Sequence, residues 1–264
     1  MDTQFIEYSS GNICYHTTGT GNPVMLVHGF GEDSAVWNRQ VDFLKDACRL
    51  IIPDLPGSGQ SALLENAGIN EYADVLKAIL DKEQVEKCTL LGHSMGGYIT
   101  LAFAEKYPAG LEKFGLVHST AFADDEEKKA TREKGIAFIE KNGAYEFLKT
   151  SIPGLFAETF TKEHPAEIED LVEKGKGFTA EALVQYYRAM IARPDRTEVL
   201  KSFNGPVLFI FGEHDKAIPF PKSLQQSYVA AVSQVHILRE SGHMGMWEET
   251  ELVNVQLKDF IADL

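Results

Sequence analysis

The chain has 264 residues, of which 44% are hydrophobic and 24% are charged, an ordinary composition for a globular protein with a sizeable core. Lys and Arg number 25 against 39 Asp and Glu, and the resulting net charge of −14 argues against nucleic acid or an anionic membrane surface as the main partner. No segment approaches the roughly 18 uninterrupted apolar residues of a membrane span, and the first residues include an acid and no basic stretch. We therefore expect a soluble, cytoplasmic protein without a secretory signal.

The three cysteines, Cys14, Cys48 and Cys88, lie far apart in the sequence. Their number is odd, and no Cys-x-x-Cys or Cys/His spacing indicates a disulfide framework or a metal site. We predict buried free thiols in a reducing compartment and no bound metal.

Taken in chain order, the predicted elements begin with an antiparallel hairpin, 4–9 and 12–17, that turns at Ser10-Gly11. Short apolar runs then alternate with helical patterns, which is typical of a mostly parallel sheet with helices on both faces. The predicted strands are 24–28, 49–53, 88–91, 114–118, 207–211 and 234–238. The predicted helices of this repeating part are 35–46, 72–81, 95–107, 222–230 and 249–263.

Residues 121–193 break this alternation, because they are rich in charge, helical in pattern and without a convincing strand. We predict a helical insertion between two strands of the sheet. Its apolar side chains are Phe138, Tyr145, Phe147, Phe156, Phe160, Tyr186, Tyr187 and Met190.

The strongest local signal is Gly-His-Ser-Met-Gly-Gly at 92–97, between a predicted strand and a predicted helix. Gly-x-Ser-x-Gly in that setting is the pattern of a nucleophile elbow. The turn is so tight that side chains at Gly92 and Gly96 would collide, and it holds Ser94 in a strained conformation with an exposed hydroxyl. The structural alternative is that Ser94 caps the following helix after a glycine-rich turn.

Three further regions, taken with this elbow, resemble the α/β-hydrolase family over nearly the whole chain. VMLVHGFG at 24–31 resembles the family's strand and oxyanion-hole loop, and PDLPGSGQS at 53–61 resembles the loop after the next core strand. The C-terminal third adds FGEHD at 211–215 and SGHM at 241–244. The resemblance implies the α/β-hydrolase fold, a mostly parallel central sheet flanked by helices. Residues 1–120 and 194–264 would form the core, and residues 121–193 a helical cap.

The resemblance also implies an oxyanion hole formed by the backbone N–H groups of Phe30 and Met95. Two donors aimed at one oxygen favour a tetrahedral intermediate, and each typically contributes about 2.7–4 kcal/mol. The side chains of Phe30 and Met95 are candidates for lining the pocket. The family chemistry requires no cofactor and no metal.

A serine hydroxyl needs an adjacent base, and the base needs a partner that fixes its tautomer. His243 follows the last predicted strand and completes the order Ser…Asp…His that is characteristic of this fold. Six other histidines have structural interpretations, in strands, in loops or in the insertion: His16, His28, His93, His164, His214 and His236. Asp54 is interpreted as turn-forming, and Glu248 and Glu249 as the acidic start of the last helix.

Asp215 is the predicted acid, because it follows strand 207–211 and functional groups of open α/β sheets gather at the carboxyl ends of strands. The alternative is Asp124 or Asp125, after the preceding strand, where some family members place the acid. The structural interpretation of that pair is an acidic start to the first helix of the insertion.

These residues predict a carboxylic ester hydrolase that acts on a small or medium apolar substrate, with Ser94, His243 and Asp215 as catalytic residues. The same machinery also serves lactonases, thioesterases, aminopeptidases, carbon–carbon bond hydrolases and perhydrolases, and the fold does not choose among them. A hypothesis from another class is a non-catalytic ligand-sensing protein with this fold. The sequence leaves the oligomeric state open.

Overall fold

Eight strands form one sheet in the computed structural model, which describes residues 1–9 and 11–262. The strands are β1 (Asp2–Tyr8), β2 (Gly11–Thr18), β3 (Pro23–Val27), β4 (Arg49–Pro53), β5 (Cys88–His93), β6 (Leu111–Val117), β7 (Pro206–Gly212) and β8 (Val232–Leu238). Their order is β1-β2-β4-β3-β5-β6-β7-β8. β2 is antiparallel to β1 and β4, and the other pairings are parallel. The predicted mostly parallel sheet with an N-terminal hairpin is confirmed, although Ser10 of the predicted turn lies outside the described residues.

Helices follow each of the parallel strands. They are α1 (Asn38–Leu44), α2 (Ile69–Lys82), α3 (Met95–Lys106), α4 (Glu126–Asn142), α5 (Ala144–Ser151), α6 (Glu158–Glu163), α7 (Pro165–Lys174), α8 (Ala180–Ala192), α9 (Thr197–Ser202), α10 (Phe220–Ser223), α11 (Gly245–Glu248) and α12 (Thr250–Ala262). Between β6 and β7 the described chain contains helices and turns but no strand. Among the described residues, no helix has both the length and the apolar character needed to cross a bilayer.

Three of the predicted helices differ from the structure. Helix 35–46 begins instead as a 3₁₀ turn, because the Asp33 carboxylate accepts from Ala35 N, and α1 follows that turn. Segment 222–230 is the short α10 followed by a 3₁₀ turn. Segment 249–263 is preceded by the separate α11, and the non-helical backbone of Glu249, with φ of −124° and ψ of 53°, divides α11 from α12. Asp263 lies outside the described residues.

The central strands are apolar throughout because they are covered on both faces. Every residue of β5 is buried, and in β3 and β7 only the first residue is partly exposed. β8 differs from the expectation for a covered strand, because it lies at the edge of the sheet and exposes Val232, Val235 and Ile237.

A close approach between α3 and β3 determines where the elbow lies. An ideal Cβ on Gly96 would lie 2.4 Å from the carbonyl oxygen of Val27, and one on Gly92 would lie 2.3 Å from the carbonyl oxygen of Gly96. Both glycines are therefore required, but the collisions would be with backbone atoms rather than between two Cβ atoms.

A buried pair of ionisable side chains joins the loop after β3 to the end of β5. The Glu32 carboxylate accepts from Gly29 N at 2.6 Å and from His93 Nδ1 at 2.9 Å. The other ring nitrogen of His93 donates to the carbonyl oxygen of His243 at 3.0 Å. His93 therefore links two loops that lie at the carboxyl ends of different strands.

The geometry of this pair suits an imidazolium and a carboxylate, because each ring nitrogen of His93 faces an oxygen acceptor. Burial alone would raise the pKa of Glu32 and lower the pKa of His93, since it disfavours both charges. The opposite charge and the hydrogen bond of each partner outweigh burial, and the Gly29 N–H adds to the effect on Glu32. The pKa of Glu32 is therefore lowered and the pKa of His93 is raised.

We predict that Gly92→Ala destabilises the fold by several kcal/mol, on the order of other severe steric changes in a packed interior. The new Cβ would meet fixed backbone atoms of Gly96 and Gly97 at 2.3–2.5 Å. Gly154→Ala is the matched control, because no atom lies within 4 Å of its added Cβ. Denaturant unfolding of both variants measures the difference, and equal midpoints would contradict the steric argument.

We also predict that Glu32→Gln lowers the free energy of unfolding by about 3–5 kcal/mol, as expected when one partner of a buried pair is removed. A lowered carboxyl pKa stabilises the fold above its unfolded value, about 4.3, and a raised histidine pKa stabilises it below its unfolded value, about 6.5. The loss of unfolding free energy in Glu32→Gln should therefore be greatest between these two unfolded pKa values. The loss should shrink as the pH rises through the folded pKa of His93.

Urea unfolding across this pH range measures the effect, with the exposed Glu213→Gln as control. A difference from wild type that does not change with pH would mean that Glu32 and His93 do not form an ion pair.

Candidate active site

The predicted nucleophile, Ser94, lies between the last residue of β5 and the first residue of α3. Its backbone has φ of 51° and ψ of −115°, a left-handed conformation that is unfavourable for any residue except glycine. Ser94 N donates to the carbonyl oxygen of Val117 at 2.9 Å, and Ser119 Oγ donates to the carbonyl oxygen of Ser94 at 2.7 Å. Hydrogen bonds to both the N–H and the carbonyl oxygen of Ser94 therefore hold the strained turn. The side chain of Ser94 makes no capping hydrogen bond to α3, so the helix-cap alternative is wrong.

The structure brings Ser94, His243 and Asp215 into one hydrogen-bonded chain. His243 Nε2 lies 2.8 Å from Ser94 Oγ, and His243 Nδ1 lies 2.7 Å from Asp215 Oδ2. A carboxylate accepts hydrogen bonds, so Asp215 keeps the proton of the neutral ring on Nδ1 and leaves Nε2 free to accept from Ser94. The three residues follow β5, β7 and β8, at the carboxyl ends of parallel strands.

Asp215 is buried and is held ionised by the N–H groups around it. Its Oδ1 accepts from Ala217 N and Ile218 N, each at 2.8 Å. Burial alone would raise its pKa, but the charge that His243 carries when protonated, the hydrogen bond from His243 and the nearby ring of His118 hold the pKa well below its usual range.

The two alternative acids are engaged elsewhere. Asp124 accepts from Arg132 Nε at 2.6 Å and lies 2.9 Å from Arg193 Nη2, and all three side chains are buried. Asp125 caps α4 by accepting from Lys128 N at 2.9 Å. The acidic start of α4 is thus confirmed for Asp125, whereas Asp124 forms a buried ion pair with two arginines.

A second carboxylate fixes the loop that carries His243. Glu248 accepts from the backbone N–H groups of Ala157, Gly242 and Met244 at 2.7, 2.9 and 3.1 Å. The prediction that Glu248 opens the last helix is wrong, because it ends α11 and its carboxylate turns back to this loop. The carboxylate of Glu249 also binds this loop, since it accepts from Ser241 Oγ at 2.6 Å. Asp54 has the predicted turn role, since it accepts from Ser34 N and Gln60 N.

Sequence reasoning missed Glu32 and His118. His118 follows β6 and is fully buried, with Nδ1 3.4 Å from Asp215 Oδ2 and Nε2 3.2 Å from Gly245 N. The one available signal was position, because both residues come shortly after strands whose carboxyl ends meet at the site.

The backbone segments predicted to form an oxyanion hole lie beside Ser94. Met95 is the first residue of α3, so its N–H has no acceptor within the helix. An ideal Cβ on Gly29, just before Phe30, would lie 3.1 Å from the Cβ of Ser94. The ring of Phe30 lines the cavity above Ser94, but the side chain of Met95 is buried in the core.

A cavity of about 160 Å³ lies over Ser94 and His243. Its walls are mostly apolar and come largely from α4, α5, α7, α8 and the turn after α5. The apolar lining includes Phe30, Tyr98, Phe147, Leu148, Ile152, Leu155, Leu171, Tyr187, Met190, Ala217, Ile218 and Met244. The polar lining, besides Ser94 and His243, includes Glu32, Lys128, Thr131, Arg132 and Ser151. Of the two cations, Arg132 is paired with Asp124, and Lys128 Nζ donates to the carbonyl oxygen of Ala217 at 2.7 Å.

Among the described residues, two clusters have donor atoms close enough to share a metal ion. In the cluster of Cys14, His16 and Asp54, burial and the charge of Asp54 raise the pKa of Cys14 to about 12. In the cluster of His118, Asp215 and His243, the facing atoms of Asp215 and His243 are joined by a hydrogen bond.

Comparisons with known proteins agree with this architecture. The model of the alpha/beta hydrolase family matches residues 24–255. A 2-hydroxy-6-oxononadienedioate/2-hydroxy-6-oxononatrienedioate hydrolase of Paraburkholderia phymatum is 28% identical, over 94% of this chain and 90% of its own.

Solved structures are also similar. A thermophilic esterase from Thermogutta terrifontis is 30% identical, covers 98% of both chains and has a TM-score of 0.91. The enol-lactonase of Burkholderia xenovorans LB400 has the same TM-score, with 98% of this chain and 100% of its own covered, but only 18% identity, which shows the fold alone. The predicted fold class is confirmed, and the chain belongs to the alpha/beta hydrolase family.

Proposed function

We propose that the protein is a serine esterase that hydrolyses carboxylic esters with a small apolar acyl group. Ser94 is the nucleophile, His243 the base and Asp215 the acid that orients the base. The observation that carries the proposal is the continuous hydrogen-bonded chain from Asp215 through His243 to Ser94 at the base of an apolar cavity.

In this mechanism Ser94 Oγ attacks the ester carbonyl carbon and its proton passes to His243 Nε2. The negative charge that develops on the carbonyl oxygen is stabilised by the N–H groups of Phe30 and Met95. The imidazolium of His243 is stabilised by Asp215, and it then gives its proton to the oxygen of the leaving alcohol. A water molecule, deprotonated by His243, attacks the acyl-enzyme. The bond from the acyl carbon to Ser94 Oγ then breaks, His243 returns the proton to Oγ, and the carboxylic acid leaves.

The cavity supports the choice of substrate class. Its volume, about 160 Å³, is below the roughly 300–1,000 Å³ of common ligand pockets, which favours a short acyl chain. A larger cavity of about 400 Å³ shares Lys128, Thr131, Ala217 and Ile218 with it, and offers room for the alcohol part of an ester.

Residues 121–193 form the helical cap in this proposal, and residues 1–120 and 194–264 form the core. The support is that α4, α5, α7 and α8 supply much of the cavity wall above Ser94. We further propose a cytoplasmic location. Burial raises the pKa values of Cys14, Cys48 and Cys88 to about 12, 11 and 12, and free thiols of this kind are compatible with a reducing compartment.

Carbon–carbon bond hydrolysis is the second candidate, because curated relatives carry that kind of name. The dienedioate in those names has a carboxylate at each end, so its binding would call for cations that are free to meet it. The two cations of the cavity, Arg132 and Lys128, already have partners. The cavity therefore suits an ester substrate better than a dienedioate.

We predict that the purified protein hydrolyses short p-nitrophenyl esters and that a fluorophosphonate labels Ser94. Ser94→Ala should abolish labelling and lower kcat by about 10⁶-fold, as loss of such a nucleophile does elsewhere. Ser151→Ala is the matched control, because Ser151 lines the same cavity and donates to the carbonyl oxygen of Leu148. Steady-state kinetics and mass spectrometry of the labelled peptide give the readouts.

Labelling at another serine would contradict the assignment of Ser94. A folded wild-type protein that turns over neither esters nor dienedioates would favour the ligand-sensing class. Faster cleavage of a dienedioate than of any ester would favour carbon–carbon bond hydrolysis.

We predict that Asp215→Asn reduces kcat by about 10⁴-fold while the protein remains folded. Ala217 N and Ile218 N would hold the amide oxygen in the place of Oδ1, so the NH₂ group would face His243 Nδ1. The ring would then carry its proton on Nε2 and could not accept from Ser94.

Asp125→Asn is the control, since asparagine also caps a helix, and it should keep activity near the wild-type level. Asp124 is unsuitable because its substitution would leave two buried arginines without a partner. A loss in Asp125→Asn that equals the loss in Asp215→Asn would contradict the assignment.

A further inference from the structure

A second imidazole lies against the carboxylate of Asp215. His118 is fully buried, and its φ of 49° is in the left-handed region that a residue other than glycine occupies only when its surroundings impose it. The ring centroid of His118 lies 5.9 Å from that of His243. Both rings therefore face the same buried acid.

The tautomer of His118 follows from its other contact. Gly245 N–H can only donate, and it lies 3.2 Å from His118 Nε2, so Nε2 carries no proton. The proton of the neutral ring is then on Nδ1, 3.4 Å from Asp215 Oδ2. Burial lowers the pKa of His118 to about 4, against the opposing effect of Asp215, so the ring stays neutral at physiological pH.

The contact at 3.4 Å is longer than an ordinary N–H···O hydrogen bond, so His118 acts on Asp215 as an oriented dipole more than as a full donor. Such a dipole has a larger effect in a buried site than in water, because little solvent screens it. The other oxygen of the carboxylate is held by Ala217 N and Ile218 N. Oδ2 alone is thus shared between the two imidazoles.

We propose that His118 is a positioning residue of the active site, whose Nδ1–H dipole faces Asp215 Oδ2 and limits the negative charge that reaches His243. This rests on the proposed function, in which His243 alternates between neutral and protonated forms. Too much charge on Asp215 would hold the proton on His243, and the base would then be unavailable to Ser94 over a wider range of acidic pH.

Other ionisable groups also face this cluster. His93, paired with Glu32, packs its ring 5.0 Å from the ring of His243. Glu248 binds the backbone on both sides of His243, and Lys128 of α4 donates to the carbonyl oxygen of Ala217. All four groups remain in variants at position 118, so differences among those variants report on His118.

Two substitutions separate the two contacts of the ring. The terminal atoms of glutamine come near the place of Nε2, so His118→Gln keeps an acceptor for Gly245 N–H and loses the donor toward Asp215. The amide nitrogen of asparagine comes near the place of Nδ1, so His118→Asn keeps the donor and loses the acceptor. Asparagine also tolerates the positive φ.

The experiment measures the acid limb of kcat/KM for an aryl ester and, without substrate, the NMR titration of His243. We expect His118→Gln to move the acid limb and the His243 titration to higher pH by about one unit. His118→Asn should leave the acid limb and the titration near those of the wild type. A purely structural role through Gly245 predicts the reverse order, which would overturn the proposal. So would unchanged titrations in both variants.

NMR of the wild-type protein tests the tautomer without any substitution. The ¹⁵N shifts of His118 should report a protonated Nδ1 and a bare Nε2 between about pH 6 and pH 9. A proton on Nε2 would overturn the proposal. If the titration of His243 moves as expected but no ester is hydrolysed, the proposed function fails and the role of His118 stands.

Discussion

The close approach of α3 to β3 is the constraint on which the site depends. At Gly96 the backbone of the helix lies so near the carbonyl oxygen of Val27 that not even a methyl group would fit. The chain must therefore turn within one residue, and Ser94 takes up that turn with a positive φ. The strain is retained because hydrogen bonds from Ser94 N and to the Ser94 carbonyl oxygen tie the turn to β6 and to Ser119.

The loops at this edge of the sheet have a common means of support. A loop leaves backbone N–H groups without the partners that a helix or a sheet provides, and in this protein buried or half-buried carboxylates accept from them. Glu32, Asp54, Asp215 and Glu248 each accept from at least one backbone N–H. Acidic residues that would be costly to bury alone thereby give the site its fixed geometry.

The sequence allowed prediction of the sheet and of the hydrogen-bonded chain because the signals for them are local. Ser94, Asp215 and His243 each follow a recognisable apolar strand within a short motif. Glu32 and His118 could not be assigned in this way, since their partners lie far along the chain. His93 is 61 residues from Glu32, and Gly245 is 127 residues from His118. Such pairs form only because the strand order brings separate loops together. A sequence pattern does not show which distant residues are close in space.

The helices between β6 and β7 are not independent of the chemistry below them. His243 N donates to the carbonyl oxygen of Leu155 at 2.6 Å, and Ala157 N donates to Glu248, which also holds Gly242 and Met244. Lifting segment 155–157 would break these bonds and leave buried polar groups unpaired, at a cost of about 1–3 kcal/mol for each group. By contrast, α5 and α8 meet the loop after β3 through the rings of Phe30, Phe147 and Tyr187, whose contacts are less directional. One part of the chain between β6 and β7 therefore holds the loop of His243 by hydrogen bonds, whereas another part contacts the loop after β3 through aromatic rings.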